Sequence, residues 1–129
     1  MKKILLLLLI VAACTTACKK DKQITPGMFG TWELRSVDGG WGTAETYPAG
    51  SSTKYQFKSD STYVKYKGNV MENQGKFSIR ILGKERGFDY GTIKFTQPDY
   101  TDAFQIKKDT IYIGTSIADG PTYQYIKIN

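Results

Sequence analysis

The chain has 129 residues, enough for one domain core and too few for two, so any activity has to fit a single module. The formal charge is +6, but five of the eighteen Lys and Arg residues precede residue 23; from Gly30 onward thirteen basic residues face eleven acidic ones. The remaining +2 forms no basic stripe, which argues against nucleic acid as a partner, and the lack of any histidine removes Ser-His-Asp and Cys-His catalysis and histidine metal sites.

The N-terminus reads MKKILLLLLIVAACTTACKKDK: two lysines, an unbroken apolar run from Ile4 to Ala13, then small residues and two cysteines. This is the three-part pattern of a signal peptide. Ten apolar residues fall short of the roughly 20 that a helix needs to cross a bilayer, and the run has no polar residues on one face, as a buried N-terminal helix would need. Cys14 and Cys18 are the chain's only cysteines, so the domain that follows holds no disulfide and no thiolate nucleophile or metal ligand. Small residues directly before a cysteine resemble the lipobox of bacterial lipoproteins, in which that cysteine is acylated. Val11-Ala12-Ala13-Cys14 and Thr15-Thr16-Ala17-Cys18 both fit; Cys18 is preferred because Lys19-Lys20-Asp21 continues into a polar tether, and Cys14 is the alternative. The resemblance implies a lipid-anchored protein of the bacterial cell envelope, at the outer membrane, divided into a signal peptide (1–17), a tether (18–24) and a folded domain (25–129). Several acyl chains on one cysteine give the stable hold that a single chain does not.

From Thr31 onward no stretch carries a helical period, whereas strand signals recur about every ten residues. The pattern predicts eight strands. Thr31 to Val37 places Trp32 and Leu34 on one face; Thr53 to Lys58 pairs through Ser59-Asp60 with Thr62 to Lys67. Gln74 to Leu82 alternates Phe77, Ile79 and Ile81 with Lys76, Ser78 and Arg80. Gly87 to Thr96, Ala103 to Lys107, Thr110 to Gly114 and Thr122 to Ile128 follow, joined by short polar turns. Short links favour an antiparallel up-and-down meander closed into a barrel; a two-sheet Greek-key sandwich is the competing fold, and Asp38 to Ser52 is the one connection long enough for its crossover.

Gly30-Thr31-Trp32, a G-x-W at the head of the first strand, resembles the lipocalin and calycin superfamily, and more closely the lipocalin-like domains of small bacterial envelope lipoproteins. Phe57-Lys58-Ser59-Asp60-Ser61-Thr62-Tyr63 and Gly75-Lys76-Phe77-Ser78-Ile79 follow in the expected order. The resemblance implies an all-β, eight-stranded antiparallel up-and-down barrel, with Gly30, Trp32 and a last-strand cation as structural signature. That cation is Lys127 here, where lipocalins usually carry arginine. It also implies a small apolar or amphipathic ligand, bound at a mouth framed by the loop from Gly39 to Ser52.

Aromatic residues are the enriched chemistry. Tyr55, Tyr63, Phe77, Tyr90 and Tyr123 are candidates for the interior, either filling it or lining a ligand cavity. Trp41, among glycines, is a candidate lid or contact residue, or a cover for the rim, and Tyr47 joins it in the first loop. Asp99 with Asp102 and Glu85 with Asp89 read as solvated loop acids; neither pair has calcium-loop spacing. No enzyme activity, metal or cofactor is expected. The expectation is a monomeric binding protein whose partners are the membrane and a small ligand. A loop-based adaptor or inhibitor gripping a protein or an envelope glycan is the rival.

Overall fold

The structure is a computed structural model describing residues 26–50, 53–114 and 120–129. The expected signal peptide, the tether and both cysteines, Cys14 and Cys18, lie outside the described residues.

Among the described residues a 3-10 turn at Pro26–Met28 is followed by nine strands: β1 (Gly30–Gly39), β2 (Glu45–Thr46), β3 (Lys54–Phe57), β4 (Thr62–Lys67), β5 (Val70–Glu85), β6 (Phe88–Thr96), β7 (Asp99–Lys107), β8 (Thr110–Ile113) and β9 (Pro121–Lys127). From β3 onward each strand pairs antiparallel with the next, and β1 pairs with both β3 and β9. The result is a closed eight-stranded up-and-down barrel, consistent with the lipocalin-like architecture; β2 is a short extra ladder on β1. Direct hairpins everywhere else leave no place for the crossover that a sandwich requires.

Closure depends on β5, whose sixteen residues serve two neighbours in succession. Val70 to Lys76 pairs with β4, and Phe77 to Glu85 pairs with β6. This offset is the stagger that lets a tilted sheet meet its own first strand.

Inward positions follow the period of two: Tyr55 and Phe57 on β3, Phe77 and Ile79 on β5, Ile93 and Phe95 on β6, Phe104 and Ile106 on β7, Ile111 and Ile113 on β8. A bulge between Leu34 and Ser36 changes the phase of β1, so that Trp32 and Leu34 face the core while Ser36 meets Gln124 on the outside. The aromatic rings form one continuous stack, with Phe57 edge-on to Phe77 at 4.8 Å, Tyr63 edge-on to Phe95 at 4.8 Å and Tyr100 stacked on Phe95 at 4.9 Å.

Two expectations are corrected. The Asp38–Ser52 connection is no simple loop across the mouth. Glu45 and Thr46 pair with Val37 and Ser36, and the Tyr47 N–H donates to the Arg35 carbonyl at 2.8 Å, so the segment extends the wall where β3 is too short. The acids read as loop residues stand in strands: Asp99 and Asp102 on β7, Glu85 at the end of β5 and Asp89 on β6, where Asp89 meets Lys84 at 3.4 Å.

Candidate functional site

The chain enters and leaves at one end of the barrel, and that end is sealed. Trp32 is fully buried; its indole N–H donates to the Met28 carbonyl at 2.8 Å. Lys127 stands over the indole, with its Nζ 5.6 Å from the ring centroid, and donates to the Gly27 carbonyl at 3.2 Å. Gly30 is what allows the ends to meet. Its φ is +130°, and a Cβ built there would lie 2.2 Å from the Asn129 carbonyl oxygen and 2.8 Å from Lys127 Cε. The glycine, the tryptophan and the last-strand cation thus form one plug.

At the opposite end, where β1 passes into β2 and β8 into β9, the barrel opens into a cup of about 420 Å³. Tyr55, Tyr100, Tyr123 and Tyr125 line it together with Ile113, Lys65 and Asp102. Below them the interior is solid: Trp32, Phe57, Tyr63, Phe95 and Phe104 have essentially no exposed surface. The cup is therefore confined to the upper part of the barrel, and both readings of the tyrosines hold at different depths.

The phenols organise the floor. Tyr55 is stacked on Phe57 at 5.3 Å and meets Tyr125 edge-on at 5.3 Å, and its hydroxyl lies 3.4 Å from that of Tyr100. Desolvation, reinforced by neighbouring tyrosines, pushes the Tyr55 and Tyr125 hydroxyls well above the ordinary phenol range. They remain hydrogen-bond donors at any physiological pH. No hydrogen bond joins the Tyr123 or the Tyr125 hydroxyl to another described residue. At the wall, the Lys65 ammonium lies 5.8 Å from the Tyr55 ring centroid and is paired with Glu72 at 2.9 Å; Asp102 Oδ1 accepts the Ala103 N–H.

Of the sequence candidates, Tyr55 and Tyr123 line the cup. Tyr63 lies deeper, its hydroxyl donating to the Gln97 carbonyl. Tyr47 sits on the β2 side, its hydroxyl donating to Glu45. Trp41 is fully exposed at 101 % and is not among the residues lining the cup. Tyr90 is a correction: it lies on the outer face, because the inward phase of β6 is set by Gly91, Ile93 and Phe95. Tyr100, Tyr125, Lys65 and Asp102 were missed. They come from β7, β9 and β4, and only the register of the closed barrel brings them together.

Glu33 is a second omission. It is a buried carboxylate on the outer side of β1, accepting the Gly50 N–H at 2.9 Å and paired with Arg35 at 2.9 Å and Lys54 at 3.7 Å. It ties the segment after β2 to the barrel wall. Among the described residues no cluster of three or more acidic, cysteine or histidine side chains stands close enough to hold a metal ion. Comparison with protein families, with curated proteins and with solved structures gave no match.

Proposed function

We propose that this chain is a lipocalin-like envelope lipoprotein, anchored through an acylated cysteine, that binds a small amphipathic ligand in the cup at the loop end of its barrel. The observation that carries the reading is a cavity of about 420 Å³ in which ring faces supply the apolar surface and unengaged phenol hydroxyls supply fixed donors. A purely apolar guest would leave those hydroxyls unpaired in a drying cup, at a cost of about 1–3 kcal/mol each, which favours a guest with hydrogen-bond acceptors. The role is binding and not catalysis. Closure of the barrel leaves no long unpaired strand edge, which supports a monomer.

The anchor follows from the lipobox-like sequences, and it gives the molecule an orientation. The chain enters at the sealed end, so acylation at Cys18 would hold that end toward the membrane and point the cup away from it. Metabolic labelling with a fatty-acid analogue should be abolished in Cys18→Ala; loss in Cys14→Ala alone would move the anchor to Cys14.

Native mass spectrometry of envelope-purified protein should show a co-purified small molecule that is lost in Tyr123→Ala. An unliganded spectrum, together with no small-molecule effect on thermal unfolding, would remove the ligand reading. One observation favours the second reading, an adaptor gripping a macromolecule through its loops: Trp41, Val70 and Met71 expose large apolar side chains at the same end as the cup. Cross-linking at Trp41 to a protein partner that also survives Tyr123→Ala would establish that reading instead.

A further inference from the structure

On the outer face of the barrel lies an aromatic row that neither the cup nor the sealed end uses. Gly83 stands opposite Tyr90, Tyr90 opposite Gln105, Gln105 opposite Tyr112, Tyr112 opposite Gln124 and Gln124 opposite Ser36, in one line across six strands. Their sequence neighbours Gly91, Phe104, Ile106, Ile111, Ile113 and Tyr125 face the core, so the side chains of this row point outward.

The two tyrosines, Gln124 and Ser36 have defined neighbours. A Cβ at Gly83 would lie 2.7 Å from the Tyr90 hydroxyl oxygen and 2.9 Å from its Cζ, so the missing side chain is what lets the Tyr90 ring lie down across β5. Tyr112 meets Phe88 edge-on at 5.7 Å and accepts a hydrogen bond from Gln124 Nε2 at 2.8 Å, while Ser36 Oγ donates to Gln124 Oε1 at 3.2 Å. Because the Tyr112 oxygen already accepts, its proton is left to donate outward. Between the two rings stands Gln105, exposed and with no side-chain hydrogen bond among the described residues. Tyr90, Gln105 and Tyr112, together with Phe88, Glu85 and Arg86, line a hollow of about 320 Å³.

We propose that this hollow is a second binding site, for a neutral glycan. Tyr90 and Tyr112 are two strand spacings apart, about 9.5 Å, with an amide between them. The axial C–H groups of a pyranose ring stack on an aromatic face, and its hydroxyls need both donors and acceptors at the ring edge. Gln105 supplies both, and Tyr112 supplies a donor. Around the hollow Lys84 is paired with Asp89 at 3.4 Å and Arg86 with Glu85 at 3.9 Å, while Lys107 donates to the Arg86 carbonyl at 3.4 Å and caps the Phe88 ring at 5.1 Å. One positive charge is left at the rim, Lys107, and it is engaged with a ring face and a carbonyl, while the side chains between the two rings are uncharged, which suits an uncharged polyhydroxyl chain. The hollow lies outside the barrel, on strands β5 to β8, so the site stands whether or not the cup binds a ligand.

The test is affinity electrophoresis of the purified full-length protein in gels containing laminarin, hydroxyethylcellulose, xylan, galactomannan or amylopectin. At least one of these should retard the protein. Tyr90→Ala and Tyr112→Ala should each weaken that retardation by about tenfold, the size expected for loss of one stacked ring. Tyr90→Phe, which keeps the ring, and Tyr123→Ala, which alters only the cup, should leave it intact. All of these side chains are at surfaces, and thermal unfolding in the absence of polysaccharide checks that each variant is folded. Absence of retardation in every gel overturns the proposal, as does retardation unchanged in both alanine variants or lost in Tyr123→Ala.

Discussion

Trp32 and Trp41 stand nine residues apart in the chain and are opposites in the fold: one has no exposed surface and a hydrogen-bonded indole, the other is wholly in solvent. Trp32→Ala should therefore lower stability by about 3–5 kcal/mol, the cost of emptying a large core site, measured by urea unfolding. Trp41→Ala should stay within about 0.5 kcal/mol of the parent in the same experiment. The buried phenols give a pH dependence. In the unfolded chain Tyr55 and Tyr125 ionise near the ordinary value of 10.0, while in the barrel both are held protonated well above it. Above pH 10 the unfolded state loses protons that the folded state keeps. Stability is therefore full below pH 10 and should fall above it by up to about 1.4 kcal/mol per pH unit for each of the two groups. Absorbance of tyrosinate should accordingly show part of the tyrosine ionising only as the barrel unfolds; independent titration of all nine tyrosines near pH 10 would refute that.

At the scale of elements, β1 does the most varied work. Its inner face supplies Trp32, one edge closes on β9, and the other edge holds β3, β2 and the segment between them. Glu33 is the anchor of that segment, and removing it strands the Gly50 N–H and leaves Arg35 and Lys54 facing each other uncompensated. Glu33→Ala should cost about 1–3 kcal/mol in urea unfolding and should speed proteolytic cleavage between Tyr47 and Thr53. Cleavage at the parental rate would show that the carboxylate does not hold this segment. The same strand shows what could be read in advance. All eight barrel strands were legible, because Trp32/Leu34 or Phe77/Ile79/Ile81 repeat the period of two over enough residues to be seen. Glu45–Thr46 could not be, since two residues have no period and pair only because β1 leaves an open edge. Tyr90 was assigned to the wrong face although the period of two carried back from Phe95 and Ile93 through Gly91 points it outward; its aromatic character was weighed above the phase of its own strand. The cup was half legible: Tyr55 and Tyr123 follow from strand phase, and Tyr125 shares the face of Tyr123, but Lys65, Tyr100 and Asp102 are distant in sequence and meet the others only through the stagger of the closed sheet.

For the molecule as a whole, the decisive feature is that one barrel has two ends with different duties. The sealed end joins the first strand to the last through Gly30, Trp32 and Lys127, and it is a fixture of stability. The open end places aromatic surface around a cup instead of in further core, and the proposed function makes those side chains the ones that meet a ligand. If the duties are separate, perturbations at the two ends should be thermodynamically independent. Lys127 and Tyr123 test this on a single strand: four residues of β9 separate them, about 13 Å along the strand, and both point to the barrel axis. Lys127→Met should lower stability and leave ligand occupancy in native mass spectra unchanged; Tyr123→Ala should do the reverse. The unfolding free energies of the two variants should add in the double variant to within about 0.5 kcal/mol, as expected for sites beyond direct contact. A coupling above about 1 kcal/mol would mean that the aromatic stack running from Phe57 through Phe95 to Tyr100 transmits strain between plug and cup, and that occupancy of the cup tightens the sealed end.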